Sequence, residues 1–456
     1  MILLMTILRR WRLAWSGALL LGAASAGAQL VPGLPGGSGG TGGVGRPSVP
    51  SLPTAPTPGV PGVGDRIGDV TSNVRGAIDP VTGRLDPVRA SASELAAARI
   101  YRLDELVRAN RERLEMTDFG PAVRGQVIAV DPDPATLHAA LTAGFTRVAE
   151  ERIEGLDIRS VTLAVPRGWS VNRALSRLRR LAPAGRFSAN NLHEQSGGAS
   201  AAGDAALLVQ RGGAPGSAIG IIDGGVAAHP SLRSAVQQRG FVAGAPRASA
   251  HGTAMASLIA GQGPVRGAAP GTPLLVADIF GADPAGGNAL ALTRALGWMV
   301  AQRVRVVAVS LVGAANPLIE RAVQQARARG TWVVAAVGND GRAAPPAFPA
   351  SYPGVIAVTA VDGRGRVLIE AGRALHLDYA APGADMGAAG GRGAVVAVRG
   401  TSFAVPLVAG RLAQHIRAAN VLASLDGEAA QRGARGVGRG ILCGNCRTPI
   451  RNASRR

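Results

Sequence analysis

The apolar and polar positions change their rhythm several times along the chain. An apolar run from Leu13 to Ala23 (LAWSGALLLGA) follows Arg9, Arg10 and Arg12 and precedes the small residues Ala26-Gly27-Ala28. This is the pattern of a secretory signal peptide over residues 1–28, and the run is short for a membrane span. Cleavage there leaves no stable membrane anchor; retention of the segment as an N-terminal anchor is the alternative. Residues 29–90 form a Gly/Pro-rich stretch, too poor in large side chains to offset the entropy of ordering, and predict a disordered linker. From Ser91 a helical period begins, with Leu95, Ile100, Leu103, Leu106, Val107 and Leu114 set among charges. Past Arg124 the rhythm predicts a strand (GQVIAVDP), a helix capped at Asp133, two strands (TRVAEERIE, RSVTLAVP), a helix from Ser170 and an extended end (RFSANNL). The β-α-β-β-α-β order predicts a small ferredoxin-like α+β domain over residues 91–196.

A small-residue stretch, GGASAAGDAA, separates this unit from a different pattern. In residues 203–425 the runs SAIGIID, PLLVADIF, VRVVAVS, WVVAAVG and VIAVTA are short, continuously apolar and bounded by Gly, Pro or polar residues. Strands of that kind are buried on both faces, so the fold class is α/β, a doubly wound, mostly parallel sheet. Ligands of such sheets bind beyond the carboxyl ends of the strands. Residues 426–456 show no clear period, end in arginines and contain Cys443-Gly-Asn-Cys446, a basic tail. In an exported protein the cysteine pair most simply forms a small disulfide; a redox role or half of an intermolecular metal site is the alternative.

Composition narrows the chemistry. All 49 basic residues of the 456 are arginine, which removes Schiff-base chemistry, the P-loop and kinase lysines and Ser-Lys dyads. Two cysteines and six scattered histidines give no local metal motif, so neither a metal nor a cofactor is expected. The net charge of +20 invites a nucleic-acid reading. However, residues 92–195 carry 15 arginines against 13 acids and residues 203–425 carry 19 against 10, a diffuse excess rather than a stripe. With only 3% aromatic residues to stack on bases, no nucleic-acid partner is expected.

Three segments put reactive side chains where strands end and helices begin. AIGIIDGGV leaves Asp223 at a strand's carboxyl end, HGTAMASLIAG puts His251 at a helix start, and GTSFAVPLVAG does the same for Ser402. Taken singly, each reads as an ordinary turn or cap residue. In this order they resemble the subtilisin-like serine proteases (subtilases), over about residues 203–425. VVAAVGNDG resembles the family's oxyanion-hole segment and places Asn339; VVAVSLVG resembles its substrate-binding strand; FPASYPGVIAVTAV and LDYAAPG resemble framework segments. The resemblance implies that Ser402 attacks a peptide carbonyl, His251 takes its proton and Asp223 fixes the imidazole tautomer. Asn339 and the Ser402 backbone N–H would then bind the oxyanion. Substrate would lie along Ser310, Leu311, Val312 and Gly313 and against Ala336, Val337, Gly338 and Ala347.

The chain also departs from the family pattern. Gly224 stands where Ser or Thr usually follows the aspartate, and Leu407 where a helix histidine is usual. Val312 and Ala347 occupy positions often held by glycine, so a small or medium apolar residue is expected before the scissile bond. IAGQGPVRGAAPG is too short and too poor in acids for the calcium loop many relatives carry. The resemblance gives the upstream unit a meaning as a propeptide, an intramolecular inhibitor whose extended end (RFSANNLHEQSG) enters the active site and is cut autocatalytically; an unrelated binding module of the same topology is the alternative. The implied protein is an exported, periplasmic or extracellular, self-processing endopeptidase acting on proteins or peptides. Its rival is an exported binding or regulatory protein that keeps the fold without turnover.

Overall fold

The computed structural model describes residues 78–79, 84–85, 91–196, 207–208 and 217–450. The signal peptide, most of the linker, residues 197–206 of the junction and the last six residues lie outside the described residues. The small domain opens with α1 (Ala92–Ala109), whose start is fixed by a capping box between Ser91 and Glu94. Then follow β1 (Leu114–Thr117), β2 (Gly120–Val130), α2 (Pro134–Thr142), β3 (Thr146–Arg152), β4 (Arg159–Ala164), α3 (Val171–Leu181), β5 (Arg186–Asn191) and the two-residue β6 (Glu194–Gln195). Asp133 and Ser170 cap α2 and α3 by accepting from the third helical N–H. The antiparallel sheet runs β5-β2-β4-β3, with β1 pairing the N-terminal end of β2 on the side away from β5. One face closes over α2 and α3 through Phe145, Leu175, Leu178 and Phe187.

The large unit is built on seven strands: β7 (Ile219–Asp223), β8 (Val236–Gly240), β9 (Leu274–Asp278), β10 (Val306–Val309), β12 (Trp332–Ala336), β13 (Val355–Val361) and β14 (Tyr379–Pro382). The order is β8-β9-β7-β10-β12-β13-β14, and every neighbouring pair is parallel. The five inner strands are the five apolar runs. The edge strand β8 reads VQQRG and alternates buried with less buried positions, as a strand covered on one side does. Helices α4 (Ala250–Ala260) and α7 (Ala404–His415) pack on one face, α5 (Ala289–Ala301) and α6 (Pro317–Ala328) on the other. A short strand β11 (Leu311–Val312) follows β10. A hairpin, β15 (Met386–Ala389) with β16 (Val395–Val398), precedes α7.

The boundary drawn at residue 425 is not a structural one. It falls inside α8 (Val421–Glu428), and the chain beyond it, as far as it is described, packs on the large unit. Leu442 and Cys443 are buried in the main core, Leu442 N–H donates to the Ala380 carbonyl, and Gly387 N–H donates to the Thr448 carbonyl. Cys443 and Cys446 are joined in a disulfide. The few apolar residues here, such as Val437, Ile441 and Leu442, are spaced by Gly and Arg and follow no helical or strand period.

The small domain's other sheet face rests on α5 and α6: Ile128, Val130, Ile153 and Ile158 share one buried cluster with Trp298, Met299, Leu318 and Ile319. Around it Arg294 pairs with Glu151, Arg239 with Glu154 and Arg321 with Asp131. These pairs are partly exposed, worth about 0 to 1 kcal/mol each, whereas each large apolar side chain buried contributes about 1.5 to 3 kcal/mol. Apolar burial therefore dominates the docking and the pairs set its register.

Candidate active site

Asp223 ends β7 at the carboxyl edge of the sheet, fully buried, and His251 sits in the first turn of α4, whose N-cap is Ser249. His251 Nδ1 lies 2.8 Å from Asp223 Oδ2 and 3.0 Å from Oδ1. Oδ1 also accepts from the Gly224 N–H at 2.7 Å. Phe403 packs beside the imidazole, with ring centroids 5.5 Å apart. Ser402 lies in the three-ten turn Thr401–Phe403 that leads into α7, where the first N–H groups lack intrahelical acceptors. Gly400, at φ +136°, makes the sharp entry into this turn.

A segment of the small domain occupies the cleft in front of these residues. β6 pairs antiparallel with β11, Gln195 opposite Leu311 and Glu194 opposite Val312. On the other side His193 N–H donates to the Gly287 carbonyl. Ser196 N–H donates to the Ser310 carbonyl at 3.0 Å, and its hydroxyl lies 2.8 Å from the Ser402 hydroxyl. Gln195 Nε2 donates to Asp223 Oδ1 at 2.9 Å. The docked chain thus holds two of the three predicted residues, while His251 Nε2 is buried without a hydrogen-bond partner. Above the cleft, Arg99 and Arg102 of α1 pair with Asp340 at 3.3 and 2.8 Å.

Asn339 Oδ1 accepts from the Thr401 N–H at 2.8 Å, so the amide group turns its Nδ2 away; that nitrogen is buried and has no partner. An unsatisfied buried donor is costly and points to a ligand oxygen. Gly338, at φ +88°, turns the chain before it, and a Cβ there would meet Val312 Cγ1 at 3.3 Å and Ala347 Cβ at 3.8 Å. Gly338, Val312 and Ala347 thus converge on one spot. Ser310 donates its hydroxyl to the Ser402 carbonyl. Leu311 is buried, and Ala336 and Val337 are buried in the two halves of the core. Gly313 faces His193: a Cβ on it would lie 2.5 Å from that imidazole.

The sequence brings the segment RFSANNLHEQSG to the active site but assigns no contact to His193, Gln195 or Ser196, because none belongs to a motif and a two-residue strand has no period to read. His193 is fully buried, and burial pushes its pKa down from 6.5 to about 4, against weaker support for the charged form from the Asn191 and Ala314 backbone. An exposed histidine takes up its proton near pH 6.5, so the stability of the docked state is complete above that pH and lost as pH falls towards 4. Melting of the Ser402→Ala chain between pH 7.5 and 4 should therefore fall, relative to the same chain with His193→Leu, by an equivalent of up to about 3 kcal/mol. Parallel pH profiles for the two chains would contradict this.

Comparison with known proteins supplies the family. Residues 214–430 match the model of the subtilase family, peptidase S8. Subtilisin BL of Lederbergia lenta is 33% identical over 206 residues, covering 43% of this chain and 74% of its own. A thermostable alkaline protease of Halalkalibacterium halodurans is 31% identical over 203 residues, covering 43% of this chain and 55% of its own, so that match spans about half of that relative's length. The crystal structure of fervidolysin from Fervidobacterium pennivorans, a keratinolytic enzyme related to subtilisin, agrees in fold with a TM-score of 0.58 at 19% identity, covering 74% of this chain and 62% of its own. The chain belongs to the subtilase family, the subtilisin-like serine endopeptidases.

Proposed function

We propose that this protein is an exported serine endopeptidase made as a self-inhibited zymogen, with Ser402 as nucleophile, His251 as general base and Asp223 as the carboxylate that orients it. The observation that carries the reading is the His251–Asp223 hydrogen bond beside Ser402, with the unpaired Asn339 amide facing the same cleft. His251 Nε2, bare of any partner, is the atom that would take the Ser402 proton as the hydroxyl attacks. Asp223 would hold the Nδ1 proton and stabilise the imidazolium that forms. Carbonyl oxygen charge would develop between Asn339 Nδ2 and the Ser402 N–H, at the positive end of α7. His251 would then return the proton to the leaving amine, and water would repeat the sequence on the acyl-enzyme.

Residues 91–196 are, in this reading, the propeptide, and the unit beneath them the catalytic domain. Ser196 is the residue lying against Ser402, so the bond offered for self-cleavage is Ser196–Gly197. In this docked state the Ser402 hydroxyl is held by Ser196, which accounts for His251 Nε2 being unpaired. The paired arginines of α1 and the apolar base on α5 and α6 keep the cut segment in place as an inhibitor until it is removed. Substrates are proteins or peptides with a small residue before the scissile bond; Ser196 is small but polar, so size is the selected property. Val312→Gly should raise kcat/KM for a peptide with Phe at that position by about tenfold or more. A wild-type enzyme that already prefers Phe there would contradict the assignment of Val312.

An active-site fluorophosphonate tests the reading: it should become attached to Ser402 of the processed protein and to no site in the Ser402→Ala chain. Absence of labelling in a processed, folded protein would favour the non-catalytic alternative.

A further inference from the structure

The aspartate before Gly224, the position where this chain departs from its family, takes a contact from the docked segment. A Cβ built on Gly224 would lie 2.5 Å from Ser249 Oγ and 3.6 Å from Gln195 Nε2. Ser249 Oγ is already engaged as the cap of α4, accepting from the Gly252 N–H. The crowding at Gly224 thus comes from Ser249, while the Gln195 amide reaches Asp223 Oδ1 without conflict and donates at 2.9 Å. With that amide in place Asp223 is wholly buried, and Oδ1 accepts from Gln195, Gly224 N–H and His251. Gln195 precedes the residue that touches Ser402, so it stands second before the bond offered for cleavage.

We infer that Asp223 also reads substrate: it selects a side-chain amide donor, glutamine, at the second residue before the scissile bond. This rests on the protease reading above. A glutamine supplies the buried carboxylate with a neutral N–H donor. A methionine of similar length covers the same oxygen without donating, which removes one of its three donors while keeping it away from water. A glutamate brings a second negative charge to within hydrogen-bond reach of the first, and like charges that close are strongly unfavourable. Because the contact is made on binding and persists through the reaction, it belongs in KM more than in kcat.

The test uses the full-length chain, allowed to process itself and then freed of the cut residues 91–196, and synthetic peptides with the sequence of residues 190–199 and its Gln195→Met and Gln195→Glu versions. A hydrogen bond to a charged group implies that kcat/KM falls about ten- to a hundredfold for the methionine peptide, chiefly through KM, and further for the glutamate peptide. Equal kcat/KM for the three peptides overturns the inference and leaves the protease reading standing. A fall confined to kcat with KM unchanged overturns it as a specificity contact. If none of the peptides is cut, the glutamine one included, this inference and the protease reading both fall. All variation is in the peptide, so no outcome is confused with misfolding.

Discussion

The Ser402→Ala chain is expected to remain at full length, apart from any removal of the signal segment, and to lose peptide hydrolysis by a factor on the order of a million, the size measured for subtilisin's own nucleophile. The loss is large because no neighbour can substitute. Ser402 is the hydroxyl that stands at the start of α7 with the predicted oxyanion donors around it, whereas Ser310 donates its own hydroxyl to the Ser402 carbonyl and is committed there. The small side-chain change should leave the docked segment in place, since its pairing with β11 and with Gly287 is made by backbone groups. Thus loss of cleavage would accompany an unchanged or raised melting temperature. A Ser402→Ala chain that still cuts itself, or that hydrolyses peptides at the wild-type rate, would remove Ser402 from the chemistry.

Asn339→Leu is expected to lower kcat by about a hundred- to a thousandfold with little change in KM, a range whose measured example is the corresponding donor in subtilisin itself. The side chain is held by the Thr401 N–H on one end, so its other end is aimed without reorganisation at the moment of reaction. Leucine has a similar volume but offers no donor, and the developing oxygen charge would keep only the backbone N–H. The burial of Nδ2 strengthens the case: in water this donor would be worth little, while in the closed cleft it is unpaired until the oxyanion forms. A KM effect alone, with kcat preserved, would mean that Asn339 binds the ground state and has no special role in the transition state.

How far the sequence alone leads differs from element to element. The inner strands were legible because a strand buried on both faces must be continuously apolar, and the caps Asp133, Ser170 and Ser91 marked helix starts by local hydrogen bonding alone. Edge strand β8 was not, since VQQRG meets solvent along one side and carries no apolar run. Asp223, His251 and Ser402 stood out as strand-end and helix-start residues in a familiar order, and Asn339 by the resemblance of its segment. The contacts of Gln195, Ser196 and His193 were not legible, because they depend on the register with which a short segment enters a cleft formed by residues 28 to 206 positions away. The same limit applies to Gly224. Its missing side chain reads in sequence as a lost hydrogen bond to the aspartate, whereas in the structure a donor from the docked segment takes that place.

The central claim is that residues 193–196 lie in the cleft as a substrate does and that Ser402 cuts the chain after them. The most direct measurement is the intact mass and N-terminal sequence of the large fragment produced by the purified full-length chain, with the Ser402→Ala chain alongside. The account predicts a new N-terminus at Gly197 in the wild type and none in the variant. A wild-type chain that stays uncut, a first cut elsewhere, or the same cut in both chains would contradict it.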